Sequence, residues 1–183
     1  MKQSSALNIP PASDGTFMNY GPTAVVDSTI WFETLIGYIF KSIDRGVNWT
    51  KSVIDSTGAV SIFSVSFLDD KIHGLAKAAG NKIYESTDGG NSWSSFIPTG
   101  VGPWYYIKSI PGTNYFVSVD DISSQSSYSL DFGHTWILFD TASSHSCLAF
   151  KDINTGFAGS KPISTTEGGI YKWDAGILGI NHP

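Results

Sequence analysis

Ser86-Thr87-Asp88-Gly89-Gly90-Asn91-Ser92-Trp93 is the stretch on which the fold turns, because its pattern occurs three times. Ser-x-Asp-x-Gly-x-x-Trp appears earlier as Ser42-Ile43-Asp44-Arg45-Gly46-Val47-Asn48-Trp49 and later as Ser129-Leu130-Asp131-Phe132-Gly133-His134-Thr135-Trp136. The aspartates are 44 and 43 residues apart. One more such step reaches Asp174, followed by Gly176 as before, but with Lys172 in place of the serine and Gly179 in place of the tryptophan. The fourth copy is degenerate. A period in this range marks a repeat architecture, in which each unit buries its apolar face only against its neighbours.

Short alternating segments flank each copy, such as Tyr38-Ile39-Phe40 before the first and Trp136 to Phe139 after the third, so each copy reads as strand, turn, strand. The residue types suit that turn. An aspartate accepts bonds from backbone N–H groups ahead of it, the glycine two places on takes a positive φ, and the tryptophan folds back beneath. Asp44, Asp88 and Asp131 are therefore expected to cap their turns, and Trp49, Trp93 and Trp136 to be equivalently buried.

This pattern resembles the Asp-box, or BNR, repeat of the β-propellers in sialidases, sortilin-type receptors, xyloglucan-cleaving hydrolases and photosystem II assembly-factor-like proteins. The likeness covers roughly residues 23–176, since the segments between boxes also recur: Phe67-Leu68-Asp69-Asp70 leading to Gly74 is echoed by Phe150-Lys151-Asp152 leading to Gly156. It implies an all-β chain of about four blades, each a four-stranded antiparallel sheet, and 43 residues suffice for four short strands with their turns. The drafted strands are 23–27, 29–33, 38–42 and 49–53; 60–67, 72–77, 82–86 and 93–97; 104–110, 115–119, 126–130 and 136–139; then 145–150, 155–160 and 169–173, with the last strand hard to find. The blades span approximately 21–55, 56–99, 100–141 and 142–183, after a linker or remnant of a preceding blade at 1–20. Related propellers generally have more blades, which favours a partial propeller over a closed four-bladed ring. An open array would expose Phe17, Val25 and Ile170 at its ends and self-associate.

Composition agrees with a β-rich globular chain. It is 41% hydrophobic and 14% aromatic with only 15% charged residues, which excludes a disordered chain or a coiled coil. A net charge of −5 with Arg45 as the one arginine leaves no footprint for nucleic acid. No apolar run is long enough to span a membrane, and the N-terminal segment shows no signal peptide. Cys147 is single, so cysteine pairing does not report the compartment. The resemblance to secreted bacterial propellers points to an extracellular or periplasmic location.

In the resembling enzymes the ligand sits on the face opposite the boxes, built here from segments 33–37, 54–59, 78–81, 98–103, 120–125, 140–144 and 161–168. Trp104, Asp120, Asp121 and Glu167 are the ligand-face candidates, and the matched positions Glu33, Lys77 and Asp120 differ in charge. The family's sialidases clamp a carboxylate with three arginines, because the planar guanidinium pairs with it bidentately; Arg45 alone, inside a box, does not suffice. A two-carboxylate glycosidase would have to draft Asp120 or Asp121 with Glu167 as catalytic pair. His145 and Cys147 sit two apart on one side of a strand but lack an orienting third group, and His73, His134 and His182 have no metal-ligand spacing. No metal and no cofactor are expected. Asn48-Trp49-Thr50 matches a glycosylation acceptor only by overlapping the box. The reading is a non-catalytic module that binds a protein or a carbohydrate and belongs to the terminal part of a larger secreted propeller; the alternative is a sialidase-like or xyloglucanase-like glycoside hydrolase, or an inactive fragment of one.

Overall fold

A computed structural model describes residues 23–55, 60–160 and 169–179. The expected linker at 1–20, with Phe17, and Glu167 lie outside them. Four small sheets follow one another along the chain. The first holds β1 (Ala24–Val26), β2 (Thr29–Glu33), β3 (Tyr38–Ser42) and β4 (Thr50–Val53), the second β5 (Ile62–Phe67), β6 (Gly74–Ala78), β7 (Ile83–Ser86) and β8 (Ser94–Phe96). After β9 (Thr99–Gly100) comes the third, with β10 (Tyr106–Ser109), β11 (Phe116–Val119), β12 (Ser126–Ser129) and β13 (Thr135–Asp140). The fourth contains β14 (Cys147–Asp152), β15 (Thr155–Ser160) and β16 (Gly169–Lys172). Strands within each blade pair antiparallel in chain order, and the blades are arranged as in a propeller, with their first strands packed in the series β1–β5–β10–β14.

Three hydrophobic cores lie between consecutive blades, as a repeat array requires. Trp31, Ile62 and Phe67 fill the first, Leu75, Ile107 and Trp136 the second, Val117, Tyr128 and Trp173 the third. Trp31 stacks on Phe67 with ring centroids 3.9 Å apart and donates its indole N–H to Gly89 O at 2.9 Å. The serines stitch blade to blade. Ile107 N–H donates to Ser64 Oγ at 3.0 Å and Ser109 N–H to Ser66 Oγ at 2.9 Å, while Ser109 Oγ donates to Phe67 O at 2.8 Å. Ser64 and Ile107, like Ser66 and Ser109, stand one repeat of 43 residues apart. A buried amide without a partner is costly, and a small hydroxyl meets it without holding the strands apart.

The fold differs from the drafted one in several places, and these bear most on the site. Among the described residues the degenerate fourth copy forms no hairpin: Asp174 accepts Gly176 N–H at 2.9 Å and caps a short 3-10 turn (Ala175–Leu178), so the fourth sheet has three described strands. Thr99 and Gly100, drafted as link, pair parallel with Thr135 and Trp136 and give the third sheet a fifth strand. β6 begins at Gly74 rather than at 72, because Asp70 captures the amides of Ile72 and His73 at 2.8 and 3.0 Å in a turn. Finally, the tryptophans of the three Ser-x-Asp-x-Gly-x-x-Trp turns are not equivalent. Trp136 is buried in the core between blades two and three, Trp93 is half-buried against the first core, and half-buried Trp49 meets Phe32 edge-on at 4.9 Å on the outer face of blade one. Each packs toward the preceding blade, and among the described residues blade one has none.

Candidate ligand-binding face

The two ends of the sheets are built differently. At one end stand the three Ser-x-Asp-x-Gly-x-x-Trp turns, and they satisfy themselves. In the second, Ser86 Oγ donates to Asp88 Oδ1 at 2.9 Å and accepts Gly90 N–H at 2.7 Å, while Asp88 Oδ1 also accepts the amides of Asn91 and Ser92, both at 2.9 Å. Asp44 and Asp131 take the amides of Asn48 and Thr135, each at 2.8 Å. Gly46, Gly90 and Gly133 have φ of +86°, +87° and +81°, and a Cβ on Gly90 would press within about 3.1 Å of the Trp31 and Phe67 rings. The amide and side chain of Asn48, with Ser42, hold Asp44 down at about 2. For Asp88 slight burial pushes upward, but bonds from Ser92, Ser86 and Asn91 outweigh it and leave the carboxyl at about 2. Trp49 and Trp136 close their turns by donating to Gly46 O and Gly133 O at 2.9 and 2.8 Å. Trp93 reaches instead to Ser52 Oγ of blade one, at 3.2 Å.

The opposite end gathers most of the enclosed charge of the described residues, although Lys108 within β10 is also held low by burial. Among the described residues the buried acidic and basic side chains are Glu33, Lys77, Asp120 and His145, exposed by 2%, 5%, 3% and 6%. Glu33 and Lys77 are at the ends of the second strands of their blades, Asp120 follows β11, and His145 precedes β14; all four belong to this end. So do the enclosed side-chain polar atoms without a hydrogen-bond partner among the described residues: both Glu33 oxygens, Trp104 Nε1, Ser126 Oγ, Ser127 Oγ and His145 Nδ1. Native proteins pair nearly all such atoms.

Burial is what moves these groups. Desolvation raises the Glu33 carboxyl to about 8, against a weak opposing pull from its own amide that does not reach hydrogen-bond geometry. Desolvation likewise lowers Lys77 to about 8. The Lys77 ammonium donates to Ala78 O at 2.6 Å and to Gly80 O, with no carboxylate among the described residues as counter-ion. Glu33 opposes Ile39 across its hairpin, Lys77 opposes Ile83, and the same register in blade three sets Val119 against Ser126. Val119, not Asp120, is thus the counterpart of Glu33 and Lys77. Asp120 matches Thr34 one residue further on, and both cap their turns: Tyr38 N–H donates to Thr34 Oγ1 at 3.0 Å and Ile122 N–H to Asp120 Oδ1 at 2.8 Å.

The sequence-derived candidates fare unevenly. Asp120 has its carboxylate engaged by Ile122 and by the amide and hydroxyl of Ser123. Asp121 is half-buried beside it, and its charge, with that of Asp120, adds to burial in raising Tyr106. Trp104 is half-buried and anchored through its own amide, which donates to Ser118 Oγ at 2.6 Å. Two hollows open beside these groups. One, about 230 Å³, lies between blades two and three and is lined by Phe63, Lys77, Pro103, Trp104 and Tyr105. The other, about 270 Å³, lies between blades three and four, where Asp140 faces His145 Nε2 at 3.3 Å and Tyr171 meets the imidazole edge-on at 4.8 Å. His145 and Cys147 do not share a strand face as expected: His145 precedes β14 and is buried, while Cys147 is exposed. No cluster of His, Cys, Asp or Glu suited to a metal occurs among the described residues.

No protein-family profile and no curated protein matches the chain. Solved structures do. YCF48 bound to a D1 peptide superposes with a TM-score of 0.64 at 18% identity, over 87% of this chain and 53% of that one. A GH74 enzyme of Niastella koreensis gives 0.56 at 21% identity, over 75% and 21%, and the computationally designed Ika4 protein gives 0.59 at 13%, over 94% and 98%. The chain therefore spans 53% of the YCF48 chain and 21% of the GH74 enzyme. At such identities the likeness speaks for the fold alone, and with the sheet order it makes this an all-β chain of four propeller blades.

Proposed function

We propose that the chain is a non-catalytic Asp-box propeller module that binds a protein through the end of its sheets opposite the Ser-x-Asp turns. One observation carries the reading: among the described residues, buried acidic and basic groups and partnerless polar atoms collect at that end, while the turns at the other end are satisfied internally. Buried polar atoms without partners cost stability, and a contributing ligand recovers it. YCF48, which shares the fold, has been solved with a D1 peptide bound, and that supports a protein over a carbohydrate as partner. The extracellular or periplasmic setting rests on the resemblance to secreted propellers.

The rival reading, a glycoside hydrolase, draws on the likeness to GH74 enzymes. Against it, Asp120 spends its carboxylate on its own turn. A peptide array probed with the wild type, with Tyr105→Arg at the proposed face and with Asn91→Arg at the turn end separates the two. Binding lost in Tyr105→Arg and kept in Asn91→Arg is the expected result. Turnover of aryl glycosides or plant polysaccharides that Asp120→Asn abolishes would overturn the proposal.

A further inference from the structure

We infer that the hollow between blades two and three is a carboxylate-binding site, taking an acidic group carried beside an apolar side chain of a partner protein, with Lys77 and Trp104 as its donors. The inference deepens the function proposed above and rests on it. Lys77 is a buried cation whose two described acceptors are neutral carbonyls, Ala78 O and Gly80 O; an ammonium has three protons, and the third has no acceptor among the described residues. The Trp104 indole N–H, a donor only, is enclosed and equally without an acceptor. Both residues line one hollow of about 230 Å³. A group that accepts from both an ammonium and an N–H, and neutralises the ammonium, is a carboxylate, for which charge-assisted bonds are the strong ones.

The walls add the second half of the specificity. Phe63 and Tyr105 meet edge-to-face at 4.8 Å, and Pro103 completes a rim that contributes no second charge. The hollow thus suits an anion flanked by an aliphatic or aromatic side chain and suits poorly a densely hydroxylated, heavily solvated one. The position is particular to this cleft. The matching place facing blade two holds Glu33 and that facing blade four holds Val119, so neither of the other clefts presents a cation there.

The test is a nuclear magnetic resonance titration of the whole chain that follows the indole N–H resonances, with that of Trp104 assigned through Trp104→Phe. Three capped peptides serve as probes: one ending Leu-Phe with a free terminal carboxylate, the same peptide amidated, and an amidated peptide with Glu beside Phe. Glucuronate is the fourth arm. The expected result is a saturable shift of the Trp104 indole with a free-carboxylate or Glu peptide, weakened at least about thirtyfold in Lys77→Met and in the amidated control, as removal of one partner of a desolvated charge pair implies. The terminal and side-chain arms identify which carboxylate is preferred. Equal binding of the amidated peptide, no perturbation of Trp104 by any carboxylate, or a response to glucuronate alone overturns the inference. Should Lys77→Met fail to fold, the wild-type comparison of free and amidated peptides decides alone. A negative titration with array binding still sensitive to Tyr105→Arg would remove this site and leave the proposed function standing.

Discussion

Replacing Glu33 by glutamine should change how stability depends on pH. In the folded chain the carboxyl is 2% exposed, without a hydrogen-bond partner among the described residues, and burial raises it from 4.5 to about 8. The native state therefore holds a proton that the unfolded state releases near its ordinary value. Stability supplied by the neutral carboxyl is complete below about pH 4.5 and drains away as pH rises toward 8, because in that window the native state binds more protons. The difference between the two values corresponds to about 5 kcal/mol, at 1.36 kcal/mol per pH unit. Relaxation and water entry erode such penalties, so about 2 to 5 kcal/mol is the expected range. The neutral amide introduced by Glu33→Gln would keep the shape and shed the titration. Urea unfolding followed by tryptophan fluorescence, with an m-value of about 2 kcal/mol per M, should show midpoints that coincide near pH 4.5 and separate by about 1 to 2.5 M at pH 9, the variant being more stable. Because the two proteins differ only at residue 33, the shifts of Lys77 and Asp88 cancel. A midpoint difference that stays constant from pH 4.5 to 9 would refute the buried, unpaired carboxyl.

Further outcomes follow from the packing and the turn caps. Trp136→Ala should cost about 3 to 5 kcal/mol in the same assay, as for a fully buried aromatic, with Trp49→Ala clearly milder because its ring is half-buried; Asp88→Ala, which removes a turn cap, should cost about 1 to 2 kcal/mol. Equal losses for the two tryptophans would contradict the inequivalence of the blades. The outer faces of the first and last blades leave Val25 and Ile170 exposed by 58% and 82%, with Phe157 beside Ile170 on the same side of the fourth sheet. The chain should therefore self-associate with rising concentration in light scattering, and Phe157→Lys with Ile170→Lys should suppress it; a wild type that stays monomeric throughout would sink the idea.

Much of this was legible beforehand, for a definite reason. A turn that caps itself needs serine, aspartate, glycine and tryptophan at fixed offsets, so its spacing survives in the chain as a pattern. The 43-residue period reappears as hydrogen bonds between Ser64 and Ile107 and between Ser66 and Ser109. The fate of the degenerate copy was not legible. With serine and tryptophan gone from its pattern, Asp174 caps a single 3-10 turn among the described residues. Nor did the pattern separate Trp49 from Trp136, because their difference lies in whether a preceding blade covers them.

The sequence had already put Trp104, Glu33 and Lys77 on the candidate face; what it did not disclose is that the two charges are buried, although a signal was present. Side chains alternate across a strand, so Glu33 shares a face with Trp31, and Lys77 with Leu75, and those faces are buried against the next blade. A charge two residues beyond a core aromatic or leucine, just where a strand ends, reads as the polar start of a loop unless the alternation is followed one step further. Following it places both charges inward. The same arithmetic shows why, among the described residues, such inward charges sit at this end of the second strands: at the other, the repeat demands a serine, Ser42, Ser86 or Ser129, whose hydroxyl is consumed by the aspartate and glycine of its turn. That end is fixed by the requirements of the hairpin and tolerates little variety. The opposite end carries no such requirement, so Glu33, Lys77 and Val119 occupy one structural position with three chemistries, and it is there that one cleft differs from the next.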